Sequence, residues 1–536
     1  MIKEIKTDYC IVGGGIAGIL LASKLALSDK KIVIIDQGPS FSEEDRSNML
    51  LKSQEEINDF ADYNDNVGLG VVTPHTSTSS DKHIVEYTNL RLFGIGGTAL
   101  HFEGFMMRPL EEDMSVKTLY GYGRDWPISY SELEPWLLHA ENEIGVSGNE
   151  DNPYASSRSG SFPMPAHKFS YFDSEIFGPA LKKLGITGHS CPRSVNSVSY
   201  RGRSACMACR ACKFCPSGAR YSPDRVHVPI LDKHENVSIL KNMSIRKLET
   251  NKKGDKIVVA HAIRIQDKSE VVIRAQTFIV ALGGIETPRM LLLSADNGMH
   301  KDGLGNFGEQ LGVGLSDHPS PNITFDLGRS VGSRLGFETM ISDHFRKYLN
   351  RVEEPTFTMQ ASPAIDWFSI GDKAVDWSIK GNDFSIENFQ NKMSQMASLW
   401  AFTEMEGKGK LTLDNTQLDA FGSPVAKITM KLTDWDRRGL EKLVELAPEL
   451  ADAMGAKNVS AVIPQGYGLG YHPSGATAMA KNPDEGVCDK NLKVFGLDNL
   501  YLVSNSVFPH MGSNPPTLTI VALALRLAAH LKGKKY

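Results

Sequence analysis

The sequence lacks an excess of charge of either sign. Its 58 Lys and Arg residues stand against 63 Asp and Glu, which gives a net charge of −5 over 536 residues. This balance excludes a protein that binds nucleic acid through a strongly basic surface, and it provides no electrostatic attraction to anionic lipid. We therefore expect no nucleic acid among the partners of the chain.

Long apolar runs are also missing. The most apolar long stretch, residues 518–531, is interrupted by Arg526, whereas a membrane-spanning helix needs about 20 consecutive apolar residues. Residues 9–23 could be taken for the apolar part of a signal peptide, but they contain four Gly and follow Asp8. We therefore expect no membrane span and a cytoplasmic protein, the alternative being export together with a partner subunit that carries the signal.

Cysteine is scarce as well, with seven residues in the whole chain. That number is far below the density of a secreted scaffold held together by disulfides. Cys10, Cys191 and Cys488 are isolated, and we interpret them as buried small apolar residues. The other four lie within ten residues of one another, so they mark a single site, where a reducing compartment would keep thiols free or bound to metal.

The sequence does contain a strand–turn–helix–strand unit at its start. Residues 7–12 are short and β-rich, residues 16–27 follow a helical apolar pattern, and residues 31–35 predict a second buried strand. Further along, residues 130–145 predict an amphipathic helix, and residues 277–282 predict another apolar strand that leads into a helical pattern. These elements indicate an α/β fold.

A glycine motif lies at the first turn of this unit. Gly13-x-Gly15-x-x-Gly18 follows the first strand, and Asp36 follows the second strand, 18 residues after the last Gly. Gly13 permits a tight turn, Gly15 lets the backbone approach a pyrophosphate, and Gly18 lets the helix pack closely on the strand. The pyrophosphate would lie at the helix N-terminus, and Asp36 would accept a hydrogen bond from a ribose hydroxyl. The motif predicts a Rossmann-like dinucleotide site and disfavours NADP, but alone it does not separate NAD from FAD.

Other segments resemble the glucose–methanol–choline (GMC) oxidoreductase family, whose members bind FAD at such an N-terminal motif. The similar segments are Gly94-Ile-Gly96-Gly97-Thr98, Ala281-Leu-Gly-Gly-Ile-Glu-Thr-Pro-Arg289, His472-Pro-Ser-Gly-Ala-Thr-Ala-Met479, Ser506-Val-Phe-Pro509 and Pro516-Thr-Leu-Thr-Ile520. Residues 125–135 and 143–148 are similar to its bacterial sugar dehydrogenase and pyranose 2-oxidase branch.

This resemblance implies two domains. A discontinuous Rossmann-like FAD-binding domain would comprise residues 1–110, 190–320 and 460–536. A substrate-binding domain with an antiparallel sheet and helices would comprise residues 111–189 and 321–459. The implied cofactor-binding residues outside the glycine motif are Gly97, Thr98, His101, Val237, Ser506 and Thr517.

The resemblance also implies the oxidation of an alcohol to a carbonyl, with hydride transfer to the flavin and a base that removes the hydroxyl proton. His472 lies at the position of the family's catalytic His, and an imidazole suits the role of base. The second catalytic position of the family is usually His or Asn, but here it falls on Pro515, which has no side-chain hydrogen-bonding group. Asn514 lies one residue earlier and is either a second catalytic residue or a turn-favouring Asn before Pro. Ala478 and Ala480 are further departures from the family pattern.

His101 has three possible roles. In the pyranose 2-oxidase branch a similarly placed His is covalently attached to FAD. The resemblance therefore leaves open a covalent bond, a noncovalent flavin contact, or a packed side chain without a role.

The four clustered cysteines form the pattern Cys206-x-x-Cys209-x-x-Cys212-x-x-Cys215-Pro216. Ferredoxin loops have nearly the same spacing, and ten residues are few for a single tetrahedral zinc. The basic side chains around the loop would stabilise thiolates; they are Arg203, Arg210, Lys213 and Arg220. Some relatives bind an iron–sulfur cluster just before a Cys-Pro-x-Gly-Ala motif similar to residues 215–219. An iron–sulfur cluster is our first interpretation, and zinc or a structural loop of free thiols or disulfides are the alternatives.

The sequence therefore predicts an FAD-dependent dehydrogenase that oxidises a secondary hydroxyl of a sugar or glycoside to a ketone. Electrons would leave through an iron–sulfur cluster, and a small electron-transfer or chaperone-like subunit is a possible partner. One alternative is an O₂-using oxidase or tailoring enzyme that acts on an aminoglycoside or another primary alcohol. The other is a catalytically impaired flavin subunit that serves electron transfer.

Overall fold

The structure is a computed structural model of the chain. It describes residues 3–52, 75–79, 91–209, 211–212, 214–332, 337–347, 349–363, 385–464 and 471–533. The strands are β1 Lys3–Val12, β2 Ile32–Ile35, β3 His75–Ser79, β4 His189–Ser190, β5 Val237–Leu240, β6 Met243–Thr250, β7 Ile257–Arg264, β8 Glu270–Val280, β9 Val313–Leu315, β10 Asn322–Asp326, β11 Met340–Ile341, β12 Phe357–Pro363, β13 Met396–Thr403, β14 Gly409–Leu418, β15 Pro424–Met430, β16 Asn458–Val462 and β17 Leu500–Leu502.

The α-helices are α1 Ile16–Leu25, α2 Glu43–Lys52, α3 Val116–Tyr120, α4 Tyr130–Ile144, α5 Gly178–Lys183, α6 Pro223–Val226, α7 Val228–Leu231, α8 Gly283–Leu293, α9 His344–Lys347, α10 Ile386–Ser394, α11 Asp434–Met454 and α12 Thr517–Leu531. Short 3₁₀ segments cover Gly97–Leu100, Glu111–Ser115 and Asn505–Val507, and a π-helical turn covers Asp173–Phe177. Among the described residues, no helix combines the length and the apolar character needed to cross a bilayer.

A parallel sheet in the order β5-β2-β1-β8 holds the first strand of the chain at its centre. The last residues of β1 and all four of β2 are buried apolar side chains, as expected for parallel strands that are covered on both faces. β8 is long enough to pair twice: its first half pairs with β7 and its last three residues pair with β17. β1 begins at Lys3, four residues before the predicted start, because its polar first residues pair with β8 while remaining largely exposed.

Two apolar helices cover this sheet. α1 packs against α12, and α12 packs against α4. The predicted helix at residues 130–145 is confirmed as α4, and Ser129 caps it by accepting a hydrogen bond from the backbone N–H of Glu132 at 3.2 Å. The main core therefore joins segments from both halves of the chain.

A second, antiparallel sheet has the order β12-β13-β10-β16. Its buried face packs on α11, which presents Leu443, Ala447 and Leu450 to the sheet. A third sheet has the order β3-β15-β14-β9. The α/β class, with a Rossmann-like unit beside an antiparallel sheet and helices, is confirmed, whereas the domain boundaries stay a prediction.

Candidate active site

A cleft with a cavity volume of about 230 Å³ opens where β1, β2 and β8 end. Ligands of open α/β sheets bind at this edge. The cleft is lined by residues from seven separate segments: Gly13, Gly15, Ile16 and Ala17; Asp36; Arg91, Leu92, Phe93, Gly97, Thr98, Ala99 and Phe102; Ala281 to Glu286; Tyr471, His472 and Pro473; Val503, Ser504 and Asn505; and Pro516, Thr517 and Ile520. The glycine motif, Asp36, His472 and Thr517 therefore meet in one place.

The glycines at the first turn are required by close backbone approaches. Gly13 has a φ of +111°, and a Cβ there would lie 2.4 Å from the carbonyl oxygen of Ala281. A Cβ on Gly18 would lie 2.0 Å from the carbonyl oxygen of Gly13, so only Gly lets α1 pack on the turn. A Cβ on Gly15 would meet only the Cα of Gly97, at 3.9 Å. The space next to the Cα of Gly15, at the N-terminus of α1, is therefore free for a ligand.

A second glycine turn forms the opposite side of this space. The backbone N–H of Gly96 donates to the carbonyl of Gly14 at 2.8 Å. A Cβ on Gly97, whose φ is +56°, would lie 2.9 Å from the Cα of Gly15. The two turns thus touch backbone to backbone, and together with Thr98 they form a narrow cradle that side chains would fill. Such a cradle fits the pyrophosphate of a dinucleotide.

Asp36 is held at the end of β2 by two backbone donors. Its Oδ2 accepts from the N–H of Gly14 at 2.7 Å, and its Oδ1 accepts from the N–H of Gly38 at 2.8 Å. Burial raises the pKa of Asp36, while the two N–H groups oppose that shift. Because each carboxylate oxygen can accept more than one hydrogen bond, the oriented carboxylate can still accept from a ribose hydroxyl.

The turn into α8 forms another wall. A Cβ on Gly284 would lie 1.7 Å from the carbonyl oxygen of Pro473, so this turn touches the chain next to His472. The carbonyl of Pro473 also accepts from Nδ2 of Asn505 at 2.6 Å. Glu286 binds Arg91 at 2.8 Å and Arg289 at 2.9 Å. Although burial opposes ionisation, these two cations hold the pKa of Glu286 below its usual value.

His472 lies in the cleft next to a second imidazole, that of His318. Their Nδ1 atoms are 2.9 Å apart. Nε2 of His318 donates to the carbonyl of Gly512 at 3.0 Å. Oδ1 of Asp317 accepts from the backbone N–H groups of both histidines, at 2.9 Å from His472 and 2.7 Å from His318.

Burial keeps both imidazoles neutral. It lowers the pKa of His318 to about 4. Burial, followed by the neighbouring His318, lowers the pKa of His472 well below its usual value. The ring of Phe402 packs against both, with centroids 5.6 Å from His472 and 5.7 Å from His318. A neutral imidazole in an apolar setting can accept a proton from a bound hydroxyl group.

The side chain of Asn514 lies next to Arg346 and not in the cleft that contains His472. It is 2% exposed, its Oδ1 lies 3.5 Å from a guanidinium nitrogen of Arg346, and its Nδ2 donates to the carbonyl of Pro515 at 3.4 Å. In the described part of the cleft lining, Pro516 and Thr517 are present, but Asn514 and Pro515 are not. The catalytic role of Asn514 stays a prediction that this geometry does not support.

A buried polar network borders this region and was missed by sequence reasoning. Glu404 accepts from Nε2 of His510 at 2.7 Å, from Arg351 at 2.6 Å and from the hydroxyl of Tyr122 at 2.6 Å. Burial opposes the ionisation of Glu404, but Arg351 and His510 hold its pKa well below the usual value. The members come from distant segments that share no motif, so no local signal identifies the network. His318 was also missed, because it lies outside the motifs that carry the resemblance.

Three further predicted cofactor residues do not line the described cleft. Ser506 is fully buried behind it and accepts from the hydroxyl of Thr477 at 2.6 Å. Val237 pairs with Ile32 at the beginning of the strands, whereas the cleft lies at their other end. The cleft lining includes Phe102 but not His101. A flavin contact by Val237 or His101 therefore stays a prediction without geometric support.

The cysteine loop lies behind one wall of the cleft. Cys215 is buried and accepts from the backbone N–H of Arg220 at 3.1 Å, whereas Cys209 is exposed. Burial raises the pKa of the Cys206 and Cys212 thiols. Within the residues that the structure describes, no group of three or more His, Cys, Asp or Glu side chains is arranged to hold a metal ion. Arg210 and Lys213 lie outside those residues.

Arg220 joins this loop to the cleft. Its guanidinium donates to the carbonyls of Cys212 and Ala99, both at 2.8 Å, and also to the carbonyl of Leu100. Burial lowers the pKa of Arg220 to about 10. Because Ala99 lines the cleft, a single buried side chain connects the cysteine loop to the cleft wall.

Comparisons with known proteins agree on one family. Models described as GMC oxidoreductase match residues 126–320 and 406–524, and one described as an NAD(P)-binding Rossmann-like domain matches residues 11–48. The chain is 28% identical to the fructose dehydrogenase large subunit of Gluconobacter japonicus, over 98% of each chain. It is 25% identical to 2-methyl-1,2-propanediol dehydrogenase of Mycolicibacterium austroafricanum, over 99% of this chain and 96% of that protein.

Oxidases are also among the similar proteins. The chain is 25% identical to the 6'''-hydroxyparomomycin C oxidase of Streptomyces lividus, over 98% of this chain and 92% of that protein. The crystal structure of pyridoxine 4-oxidase from Mesorbium loti superposes with a TM-score of 0.67 at 18% identity, over 99% of this chain and 100% of that one. This structural likeness concerns the fold alone.

Proposed function

Since the chain belongs to the GMC oxidoreductase family, an FAD-dependent family that acts on CH–OH donors, we propose that it is a dehydrogenase that oxidises a secondary hydroxyl of a sugar or glycoside to a ketone. The observation that carries this proposal is the position of His472. This neutral imidazole lies in the same cleft as the glycine cradle and Asp36. A proton acceptor and a dinucleotide site therefore share one cavity.

The residues that would hold FAD fit the group. The touching turns at Gly15 and Gly97 leave room for a pyrophosphate beside the N-terminus of α1, and Asp36 can bind the ribose. Thr517 is the first residue of α12 and also lines the cleft. When bound, FAD supplies the acceptor for the hydride of the alcohol carbon.

The part played by the chain is to place the hydroxyl group and take its proton. His472 accepts the hydroxyl proton at Nε2, since its Nδ1 is already engaged with His318. Phe402 covers both imidazole rings and limits the access of water to them. The resulting imidazolium is buried, so it returns its proton readily once the product leaves.

We also propose the division into an FAD-binding domain of residues 1–110, 190–320 and 460–536 and a substrate-binding domain of residues 111–189 and 321–459. All the described residues that line the cleft belong to the first set. Strands β10, β12 and β13 of the antiparallel sheet belong to the second set, and its edge strand β16 crosses the boundary at residue 460. We expect the substrate to enter between the two.

The iron–sulfur cluster at Cys206, Cys209, Cys212 and Cys215 stays a prediction. The described arrangement of the loop does not form a metal-holding group, so we route no step through it. The name of the relative "fructose dehydrogenase large subunit" supports a partner subunit, and we propose a small electron-transfer or chaperone-like one. We keep the cytoplasm as the proposed location.

A second candidate function is that of an O₂-using oxidase on an aminoglycoside. It is favoured by the similarity to 6'''-hydroxyparomomycin C oxidase. Hydrogen peroxide formed under air would support it, and the absence of peroxide during turnover with an artificial electron acceptor would support the dehydrogenase.

The decisive experiment is the anaerobic addition of alcohols to the purified holoenzyme. D-fructose, glucosides, 2-methyl-1,2-propanediol and an aminoglycoside form the panel, and reduction is followed by the loss of visible flavin absorption. We expect a sugar or glycoside to reduce the flavin, and His472→Ala to lower the reduction rate constant by about 10²- to 10⁴-fold. If no alcohol reduces the flavin, the impaired electron-transfer subunit becomes the better interpretation. If His472→Ala reacts as fast as the wild type, His472 is not the base.

A further inference from the structure

We propose that His318 is a positioning residue for the base: it accepts a hydrogen bond from Nδ1–H of His472 and thereby fixes the tautomer in which Nε2 of His472 carries a lone pair towards the cleft. The inference rests on the proposed role of His472 as base. It adds a residue that sets the protonation pattern of that base before any substrate binds.

The carbonyl of Gly512 fixes the direction of both hydrogen bonds that the ring of His318 makes. A backbone carbonyl has no proton to give, so Nε2 of His318, 3.0 Å from the carbonyl of Gly512, must carry the hydrogen. A neutral imidazole has one N–H, so Nδ1 of His318 is then an acceptor. Its partner at 2.9 Å, Nδ1 of His472, must be the donor. The single N–H of His472 is thereby used, and its Nε2 is left with a lone pair.

The geometry leaves His318 little freedom to turn. Its side chain is 3% exposed, and its ring packs against Phe402. Oδ1 of Asp317 binds the backbone N–H groups of both His318 and His472. The two rings are therefore fixed relative to each other by one carboxylate at their backbones and one hydrogen bond between their side chains.

The nature of the acceptor has a chemical consequence. A carboxylate in the place of His318 would put a full negative charge beside the imidazolium and hold the proton strongly. A neutral imidazole orients the ring without adding that charge. The hydrogen bonds that run from His472 through His318 end at the carbonyl of Gly512, which cannot pass a proton on. The proton that Nε2 takes from the substrate must leave through the cleft.

Nitrogen NMR tests the tautomer directly. The holoenzyme is labelled with ¹⁵N-histidine, and the signal of His472 is identified by its loss in His472→Gln. We expect wild-type His472 to show a protonated Nδ1 and an unprotonated Nε2, and His318 to show the reverse pattern. In His318→Phe we expect the two His472 nitrogens to move towards averaged shifts, because neither tautomer is then fixed.

His300 provides a matched control. It is also buried and also has Nε2 bonded to a carbonyl, that of Gly254 at 2.8 Å, but it does not line the cleft. The His300→Phe variant should leave the His472 signals unchanged. His318→Gln keeps an acceptor and a donor on one side chain, and it should restore the wild-type pattern at least in part.

Kinetics provide a second measurement. We expect His318→Phe to lower the rate constant of anaerobic flavin reduction by about 10- to 100-fold, the range known for groups that orient metal-binding imidazoles. The apparent dissociation constant of the alcohol should change by less than about twofold, since His318 acts on the base and not on ground-state binding. His318→Gln should recover most of the rate.

The outcomes separate this proposal from the proposed function. A wild-type His472 with its proton on Nε2 overturns the proposal, and so does a His318→Phe protein in which Nδ1 of His472 keeps its proton. The wild-type spectrum decides the point even if His318→Phe does not fold. If no alcohol reduces the wild-type flavin, the proposed function fails, while the nitrogen signals still decide the role of His318.

Discussion

Gly284→Ala tests whether the turn into α8 sets the position of the His472 imidazole, the proposed base. Gly284 has no unusual φ, so the variant adds a methyl group without backbone strain. That methyl would lie 1.7 Å from the carbonyl oxygen of Pro473, the residue directly after His472. Cβ atoms essentially never approach other atoms within 3.0 Å, so the carbonyl must move by at least about 1.3 Å.

The magnitude follows from this displacement. The shift would break the 2.6 Å hydrogen bond from Asn505 to the Pro473 carbonyl, which is worth about 1 kcal/mol. Overpacking adds about 1–3 kcal/mol to the loss in the free energy of unfolding. Misplacing a reacting group by about 1 Å costs about 10²-fold in rate. We therefore expect Gly284→Ala to fold less stably and to reduce its flavin about 100-fold more slowly.

Stopped-flow measurement of anaerobic flavin reduction, with thermal unfolding and FAD content on the same samples, checks this expectation. Gly298→Ala is the control, because a Cβ there meets only Asp296, at 3.6 Å. It should match the wild type in all three measurements. A Gly284→Ala protein that reduces its flavin at the wild-type rate would refute the argument that this contact places His472.

The remaining predictions concern the pH dependence of the rate, the carboxylate of Asp36 and the cysteine loop. His472 accepts a proton only when neutral, and burial lowers its pKa well below the usual 6.5; the reduction rate should therefore be flat above pH 6.5 and fall only at more acidic pH, and a rate that still rises above neutral pH would contradict this. Asp36→Asn places an amide against two N–H donors and should weaken FAD retention by about 10-fold, measured as FAD per chain after gel filtration. Asp8→Asn removes a comparable acceptor for Lys31 at the other end of the sheet and should retain FAD fully. The cluster hypothesis requires iron and sulfide in the purified protein, both lost in Cys212→Ser while FAD remains; an iron-free yellow protein would reject it.

The parts of the site that could be predicted are those governed by local chemistry. The roles of Gly13 and Gly18 follow from a motif in which each residue type meets a steric demand within a few residues, and the structure shows the close contacts. Ser129 caps α4 because its side chain reaches a donor three residues away. The position of Asp36 follows from the length of one helix and one strand.

The parts that could not be predicted depend on long-range packing. His318 lies 154 residues before His472 in the chain, and no pattern indicates that their rings meet. Val237 was expected to contact the cofactor because of the resemblance, but it begins β5, and the sequence does not tell which end of that strand borders the cleft. The direction of the Asn514 side chain is set by Arg346, a residue from a separate segment.

The cleft draws on seven stretches of chain, the first beginning at Gly13 and the last ending at Ile520. During synthesis on the ribosome, about 500 further residues must therefore be added after the first glycine turn before every segment that lines the cleft is present. A nascent chain lacks part of the cleft lining until these last residues are made, so we expect the complete site to form late in synthesis. We expect cofactor loading to raise the resistance of the folded chain to proteases.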